Sequence, residues 1–245
     1  MPTDATEIRF PPARRRLYLL RHGDVSYFDA DGRPVRPDTV PLNDAGLRQA
    51  EAAQQELAGV PFDRVLSSDL PRSRETAAIV TAGRGLPIEA RPELREVQPG
   101  RLADIPAGEV ERAFLGAFAA DITRETRFLA GEAFGSLLDR VLACLRGLLA
   151  DGGWRRLLLV AHGGVNRAIL THALGSGLAG FAALEQDPGC INVLDVDDAG
   201  RWVVRLVNHT PYNPAKQGLE MTTMERLYAE YRVRFTPGGR AGRET

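Results

Sequence analysis

Two histidines leave two apolar runs in the same way. In LYLLRHGDV, residues 17–25, four apolar residues run into Arg21, His22, Gly23 and Asp24; in LLLVAHGGV, residues 157–165, a similar run ends at His162, Gly163 and Gly164. A short continuous apolar run reads as a strand buried on both faces, and ligands in open α/β sheets sit beyond the carboxyl ends of such strands. A lone histidine there is more often a hydrogen-bonding structural residue than a catalyst. Arginine in its company changes that balance. Arg21 precedes His22, and Arg72 falls in the first turn of a helix expected after Ser68, Asp69 and Pro71. Phosphate monoesters are dianions, and guanidinium forks match their oxygens in two-point geometry. Arg21 and Arg72 would supply that charge, His162 would complete the clamp, and the amides of residues 163–165 could add helix N-terminal donors. Glycine at 23, 163 and 164 fits either tight turns or close backbone approach to a ligand. His172 and His209 lack a strand-end context and read as ordinary.

The elements that must position these groups follow from periodicity and punctuation. Asn43 or Asp44 can cap a helix through GLRQAEAAQQELAG, with Leu47, Ala50 and Leu57 on one face and a stop at Gly59. Val65 and Leu66 make a short strand ending at Ser67, residues 88–90 a further strand, and residues 94–97 lead to a turn at Pro99 and Gly100. Residues 101–131 contain a helical stretch, VERAFLGAFAA, and read as a cap-like insertion. Phe134, Leu137, Leu138, Val141, Leu145 and Leu148 recur at helical spacing within 132–151, so that helix should pack beside the strand at 157–161. A helix over 165–174 follows the double glycine. Residues 191–196 and 202–207 flank a Gly-containing turn as a hairpin, and residues 221–235 suit a last helix. Residues 1–13 read as an irregular leader and 236–245 as a disordered tail.

Length and composition set the outer limits. The 245 residues, 44% hydrophobic, suit one α/β domain with an insertion. A net charge of -1 gives no general electrostatic case for nucleic acid or an anionic membrane as partner. No stretch approaches the roughly 18 apolar residues of a membrane span, and charge returns at Arg21 too soon for a signal-peptide core after Arg14, Arg15 and Arg16. A cytoplasmic protein is expected. Cys144 and Cys190 stand alone, without metal-ligand spacing or a disulfide framework, and read as buried thiols. Lys216 is the single lysine in the sequence, so a GxxxxGK phosphate loop or a kinase-type lysine cannot be built. DVDD at 195–198 reads as a hairpin turn rather than a DxD nucleophile, and AHGG lacks the GxSxG elbow of a lipase.

Taken together, RHG at 21–23, SSDLPRSRETA at 67–77, LRE at 94–96 and AHGG at 161–164 resemble the histidine phosphatase superfamily, also called phosphoglycerate mutase-like. PLNDAGLRQA at 41–50, INVLDV at 191–196 and LVNHTPYN at 206–213 extend the likeness over roughly residues 15–215. The resemblance implies a three-layer α/β/α sandwich with a mostly parallel central sheet. It also implies two-step phosphoryl transfer in which His22 is the nucleophile, Arg21, Arg72, His162 and Gly163 bind the phosphoryl group, and Glu96 donates a proton to the leaving alkoxide. His162 would act as a protonated imidazole. No metal or cofactor is implied. Glu96 could instead be a surface partner of Arg95, and Asp24 could orient His22, donate the proton or merely cap a turn.

Substrate is less defined. Many relatives read RHG-x-T-x-x-N, whereas Val25 and Phe28 occupy the Thr and Asn positions here, and GEA at 131–133 stands where GES often occurs. Phe28, Phe114 and Phe118 could line a more apolar pocket or simply pack in the core. The 66-residue interval from Glu96 to His162 favours hydrolysis over mutase transfer. The expectation is thus a metal-independent phosphomonoesterase for a small phosphorylated metabolite, with a mutase or a catalytically silent phosphate-binding module as rivals and a homodimer conceivable.

Overall fold

The structure is a computed structural model that describes residues 14–235, apart from 30, 32, 34 and 119–121. The leader and tail expected from the sequence lie outside the described residues. The first half runs β1 (Arg14–Arg21), α1 (Asp44–Glu56), β2 (Arg64–Ser67), α2 (Pro71–Val80), β3 (Ile88–Ala90) and α3 (Val110–Leu115). The second runs α4 (Phe134–Ala150), β4 (Arg156–Ala161), α5 (Gly163–Leu174), β5 (Ile191–Asp197), β6 (Trp202–His209) and α6 (Thr223–Phe235).

The strands form one sheet in the order β3-β2-β4-β1-β5-β6. Four strands from β3 to β1 are parallel, while β5 runs antiparallel to β1 and β6 antiparallel to β5. Because side chains alternate across a strand, the apolar runs serve two cores. Leu17, Leu19, Leu157, Leu159 and Ala161 face one, with Phe134, Leu137 and Val141 of α4 and Val165, Ala168 and Ile169 of α5. Leu20, Leu158 and Val160 face the other, with Ala53 of α1 and Ala77 and Val80 of α2. Helices on both faces of a mostly parallel sheet make the expected α/β/α sandwich.

Most boundaries lie close to the sequence expectation. Asn43 caps α1 by accepting a hydrogen bond from Gly46 N at 2.9 Å. The α1 face differs in one member: Leu47 is 41% exposed, and the buried stripe runs through Gly46, Ala50 and Ala53 to Leu57. Small residues on that stripe let α1 approach the sheet, a closeness Leu47 does not permit. Helix α5 starts at Gly163 rather than after the double glycine. The β5–β6 turn closes as expected, with Gly200 at φ +75 and Asp197 Oδ1 accepting from Ala199 N and Arg201 N.

In the insertion the expected helix is short: α3 gives way to a 3-10 turn at Gly116–Phe118. Phe114 is buried and stacks on Tyr228 and Tyr231 of α6, which answers its role as core rather than pocket wall. Among the described residues no helix is long and apolar enough to cross a membrane. Cys190 is buried and Cys144 only half-buried; both are free, and burial pushes the Cys190 thiol up to about 12.

Candidate active site

Strand register brings the two histidines together. Arg21 of β1 pairs with Ala161 of β4, and His22 N donates to Ala161 O at 3.0 Å, so His22 and His162 emerge side by side from adjacent parallel strands. Their ring centroids are 5.0 Å apart, and the side chains are 2% and 0% exposed. Strand β2 ends one position earlier, with Ser67 opposite Val160. The chain turns there into α2, where Pro71 occupies the first turn and Leu70 the cap position without a side-chain cap bond. That delivers Arg72, 2% exposed, to the same place.

His22 is held at both ring nitrogens. Nδ1 lies 2.6 Å from Gly23 O, and Arg72 Nε donates to Nε2 at 3.1 Å. Arginine cannot accept, so Nε2 carries the lone pair and Nδ1 the proton. This assignment follows from partner chemistry. Burial, then the charges of Arg72 and Arg21, push the His22 pKa well below the usual imidazole range. His162 is pushed down as well, by burial first and then by Arg72, His22 and Arg21. Both shifts favour the neutral ring in the free protein. His162 is also more loosely held: Nε2 lies 3.4 Å from Ser73 Oγ and Nδ1 is buried without a partner.

Arg21 and Arg72 are positioned by main-chain carbonyls. Arg72 Nη1 donates to Pro37 O at 2.6 Å, which ties the 26–41 loop to the site. Arg21 Nη1 donates to Gln186 O and, at 3.0 Å, to Thr223 Oγ1, while its Nε is buried with no partner among the described residues. Gln186 belongs to a buried polar cluster in which its Nε2 donates to Asn192 Oδ1 at 3.0 Å.

Glu96 is at the site and not in an ion pair with Arg95, which instead grips Asp69 through two bonds of 2.7 and 2.6 Å. Gly164 N lies 3.1 Å from each Glu96 carboxylate oxygen, and Val97 N donates to Oε1 at 2.9 Å. The Gly164 amide is thus taken by Glu96, contrary to the expectation that it would face phosphate. A Cβ on Gly164 would collide with Glu96 Oε1. Gly23 is required for a different contact: a Cβ there would collide with Gly46 O at the start of α1. Neither position has the positive φ of a glycine-demanding turn. Arg140 fixes the Glu96 segment by donating to the carbonyls of Glu93, Arg95 and Glu96.

Asp24 is occupied elsewhere. Its Oδ2 accepts from Asn43 Nδ2 at 2.9 Å, and Oδ1 lies 3.9 Å from Arg226 of α6. Phe28 stacks near Phe235, and Phe118 sits against Phe128, Phe134 and Phe181. His172 adjoins Trp202 and His209 adjoins Glu56, so neither joins the cluster. Sequence reasoning missed Arg167, Glu185, Gln186 and Thr223. Arg167 had a usable signal, because a helical side chain leans toward the N-terminus and residue 167 lies one turn beyond Gly163.

Residues 17–210 match the model of the histidine phosphatase superfamily (branch 1). The chain belongs to the histidine phosphatase superfamily. It is 30% identical over 183 residues to the adenosylcobalamin/alpha-ribazole phosphatase of Salmonella typhimurium, covering 74% of this chain and 90% of that protein. It is also 30% identical over 162 residues to a probable phosphoglycerate mutase of Yersinia pestis, covering 65% and 75%. Among solved structures, a putative alpha-ribazole-5'-P phosphatase from Escherichia coli superposes with a TM-score of 0.67 at 28% identity, covering 80% of this chain and 97% of that one. This histidine phosphatase therefore shares fold and sequence with enzymes named for phosphate ester hydrolysis.

Proposed function

We propose that the chain hydrolyses phosphomonoesters of small metabolites through a phosphohistidine on His22, without a metal. The observation that carries this reading is the setting of His22: a buried imidazole with one tautomer fixed between Gly23 O and Arg72, beside a second buried imidazole.

In the first step Nε2 attacks phosphorus and the ester P–O bond breaks. The bond electrons leave with the alkoxide, which takes a proton from the Glu96 carboxyl group, while the Nδ1 proton stays on its bond to Gly23 O. Glu96 Oε2 suits that proton, since Val97 N engages only Oε1. Arg21 and Arg72 balance the charge on the phosphoryl oxygens, and His162 donates a hydrogen bond to them. In the second step water attacks phosphorus, Glu96 takes a water proton, and the P–N bond returns its electrons to Nε2. Desolvation of the pocket strengthens each of these interactions.

Hydrolysis rather than transfer to a second alcohol is supported by the short interval between Glu96 and His162 and by similarity to several proteins named as phosphatases. Relatives named as alpha-ribazole phosphatases make alpha-ribazole-5'-P one of the phosphorylated metabolites to assay first. Brief incubation with a labelled phosphomonoester in the presence of a chelator should leave acid-labile, alkali-stable phosphate on the wild-type protein and none on His22→Ala. A fully active His22→Ala variant would overturn the proposal. For Glu96, Glu96→Gln should slow alkyl phosphates by about 100-fold or more while slowing p-nitrophenyl phosphate less than about tenfold, because general acid catalysis matters least for a good leaving group. Equal losses on both would reject Glu96 as the acid.

A further inference from the structure

Arg167 lies outside the residues assigned to phosphate so far, yet its surroundings are those of a ligand-binding group. It is 5% exposed on α5, with its guanidinium 5.0 Å from the centroid of the Phe118 ring. Nε donates to Leu184 O at 2.6 Å and Nη2 to Glu185 Oε2 at 2.7 Å. Nη1 has no hydrogen-bond partner among the described residues. The charges acting on this guanidinium come from Glu185, Arg21 and Glu96, two of which are at the site already described.

Arg167 and Arg21 share one frame. Glu185 binds Arg167 with Oε2 and receives the Thr223 hydroxyl on Oε1 at 2.9 Å; the same hydroxyl oxygen accepts from Arg21 Nη1 at 3.0 Å. Leu184 O and Gln186 O hold the two arginines from the intervening strip of backbone. Among the described residues this frame leaves Nη1 free on Arg167, and Nε and Nη2 free on Arg21. A Cβ built on Gly163 would lie 3.7 Å from Arg21 Nε and 3.7 Å from Arg167 Nη1, so these two unpartnered nitrogens border one point at the N-terminus of α5. Two guanidinium groups that share one carboxylate, Glu185, and border one point in front of a helix N-terminus leave positive charge there for a further anion.

We propose that Arg167 is a third phosphoryl-binding arginine, pairing with Arg21 to hold one non-bridging oxygen above Gly163, a role that rests on the phosphatase reading. Arg72 then grips the phosphoryl group from the His22 side and the Arg21–Arg167 pair from the α5 side. Planar forks are suited to this because each keeps two frame contacts while leaving at least one nitrogen for the ligand. Lysine could not, since a single ammonium replaces three separated donors. The link through Phe118 also joins the 101–131 insertion directly to phosphate binding.

The test measures inorganic phosphate binding by calorimetry beside turnover of p-nitrophenyl phosphate. Neither probe carries a second acidic group. Arg167→Gln and Arg167→Lys should each weaken phosphate about tenfold or more and lower kcat/KM on p-nitrophenyl phosphate at least as much. Gly163→Ala covers the case in which Arg167 variants fold poorly: its methyl group fits the protein but fills the space between the two free nitrogens, so it should weaken phosphate by a similar factor without lowering Tm. Thr223→Val, which cuts the frame without touching Arg167, should cost two- to threefold. The exposed Arg101→Gln controls for general charge and should change binding less than twofold. Unchanged phosphate binding in Arg167→Lys and Gly163→Ala would overturn the inference, as would a loss confined to phosphomonoesters bearing a second acidic group. Wild-type phosphate binding without turnover would refute the hydrolase reading and leave this inference standing.

Discussion

His22 and His162 leave neighbouring strands, precede glycines, and sit in the same buried space, yet they are held in opposite ways. His22 has both ring nitrogens engaged, one by its own backbone and one by Arg72. Among the described residues, His162 has one nitrogen without a partner and the other at the limit of hydrogen bonding to Ser73 Oγ. A nucleophile benefits from a single fixed tautomer, whereas a group that must follow charge onto a phosphoryl oxygen benefits from freedom to reassign its proton. Two near-identical sequence signatures thus yield a fixed ring and an adaptable one.

The largest effect should come from deleting the fixed ring. His22→Ala should reduce turnover by about 10⁴-fold or more, while His162→Ala should cost about 10²- to 10³-fold and still accumulate labelled phosphate on His22. Equal losses, or label surviving in His22→Ala alone, would break the assignment of unequal roles.

A similar comparison holds one residue further along. Gly164→Ala drives a methyl group into the Glu96 carboxylate, so turnover of alkyl phosphates should fall by about 100-fold, a loss comparable to that in Glu96→Gln. A Gly164→Ala enzyme with normal activity on alkyl phosphates would show that the Glu96 carboxylate position is irrelevant to the chemistry.

Titration sharpens the pair next. Both imidazoles are held below the usual value near 6.5 by burial and arginine charge. The unfolded chain therefore binds more protons than the folded one below about pH 6.5. Stability from the pair is complete above that pH and declines as pH falls below it. Plots of Tm from pH 8 to pH 5 should slope less in His162→Gln than in wild type. The acid limb of kcat/KM should also lie below the usual imidazole value, since burial and arginine charge lower the His22 pKa. Identical slopes in both proteins would remove His162 from the buried neutral pair. The smallest effect is expected at Asp24, whose carboxylate is bound by Asn43: Asp24→Asn should change kcat/KM by less than about threefold, and a loss on alkyl phosphates like that of Glu96→Gln would reassign the acid.

The apolar runs 17–20 and 157–161, each leading into a His-Gly pair, determined two strands buried on both faces and the side of the sheet where chemistry could sit. That much is local, because a period-two chain with large aliphatic residues on both faces has few other ways to bury them. Arg72 in the first turn of α2 was equally legible from Pro71. Leu47 was misread because its neighbours' spacing fits more than one helix face, and only the approach of α1 to the sheet chooses between them.

What tertiary structure alone decided is which partner each polar group takes. Asp69 captures Arg95 and frees Glu96, Gly164 N turns to Glu96, and Thr223, 202 residues from Arg21, supplies the hydroxyl that links Arg21 to Glu185 and so to Arg167. No periodicity encodes such pairings, since each depends on backbone segments distant in sequence arriving within about 3 Å, where directional hydrogen bonds first become possible. The sequence placed histidine and arginine at the right edge of the sheet; packing determined which imidazole is locked, which is free, and which guanidinium nitrogens are left for a ligand.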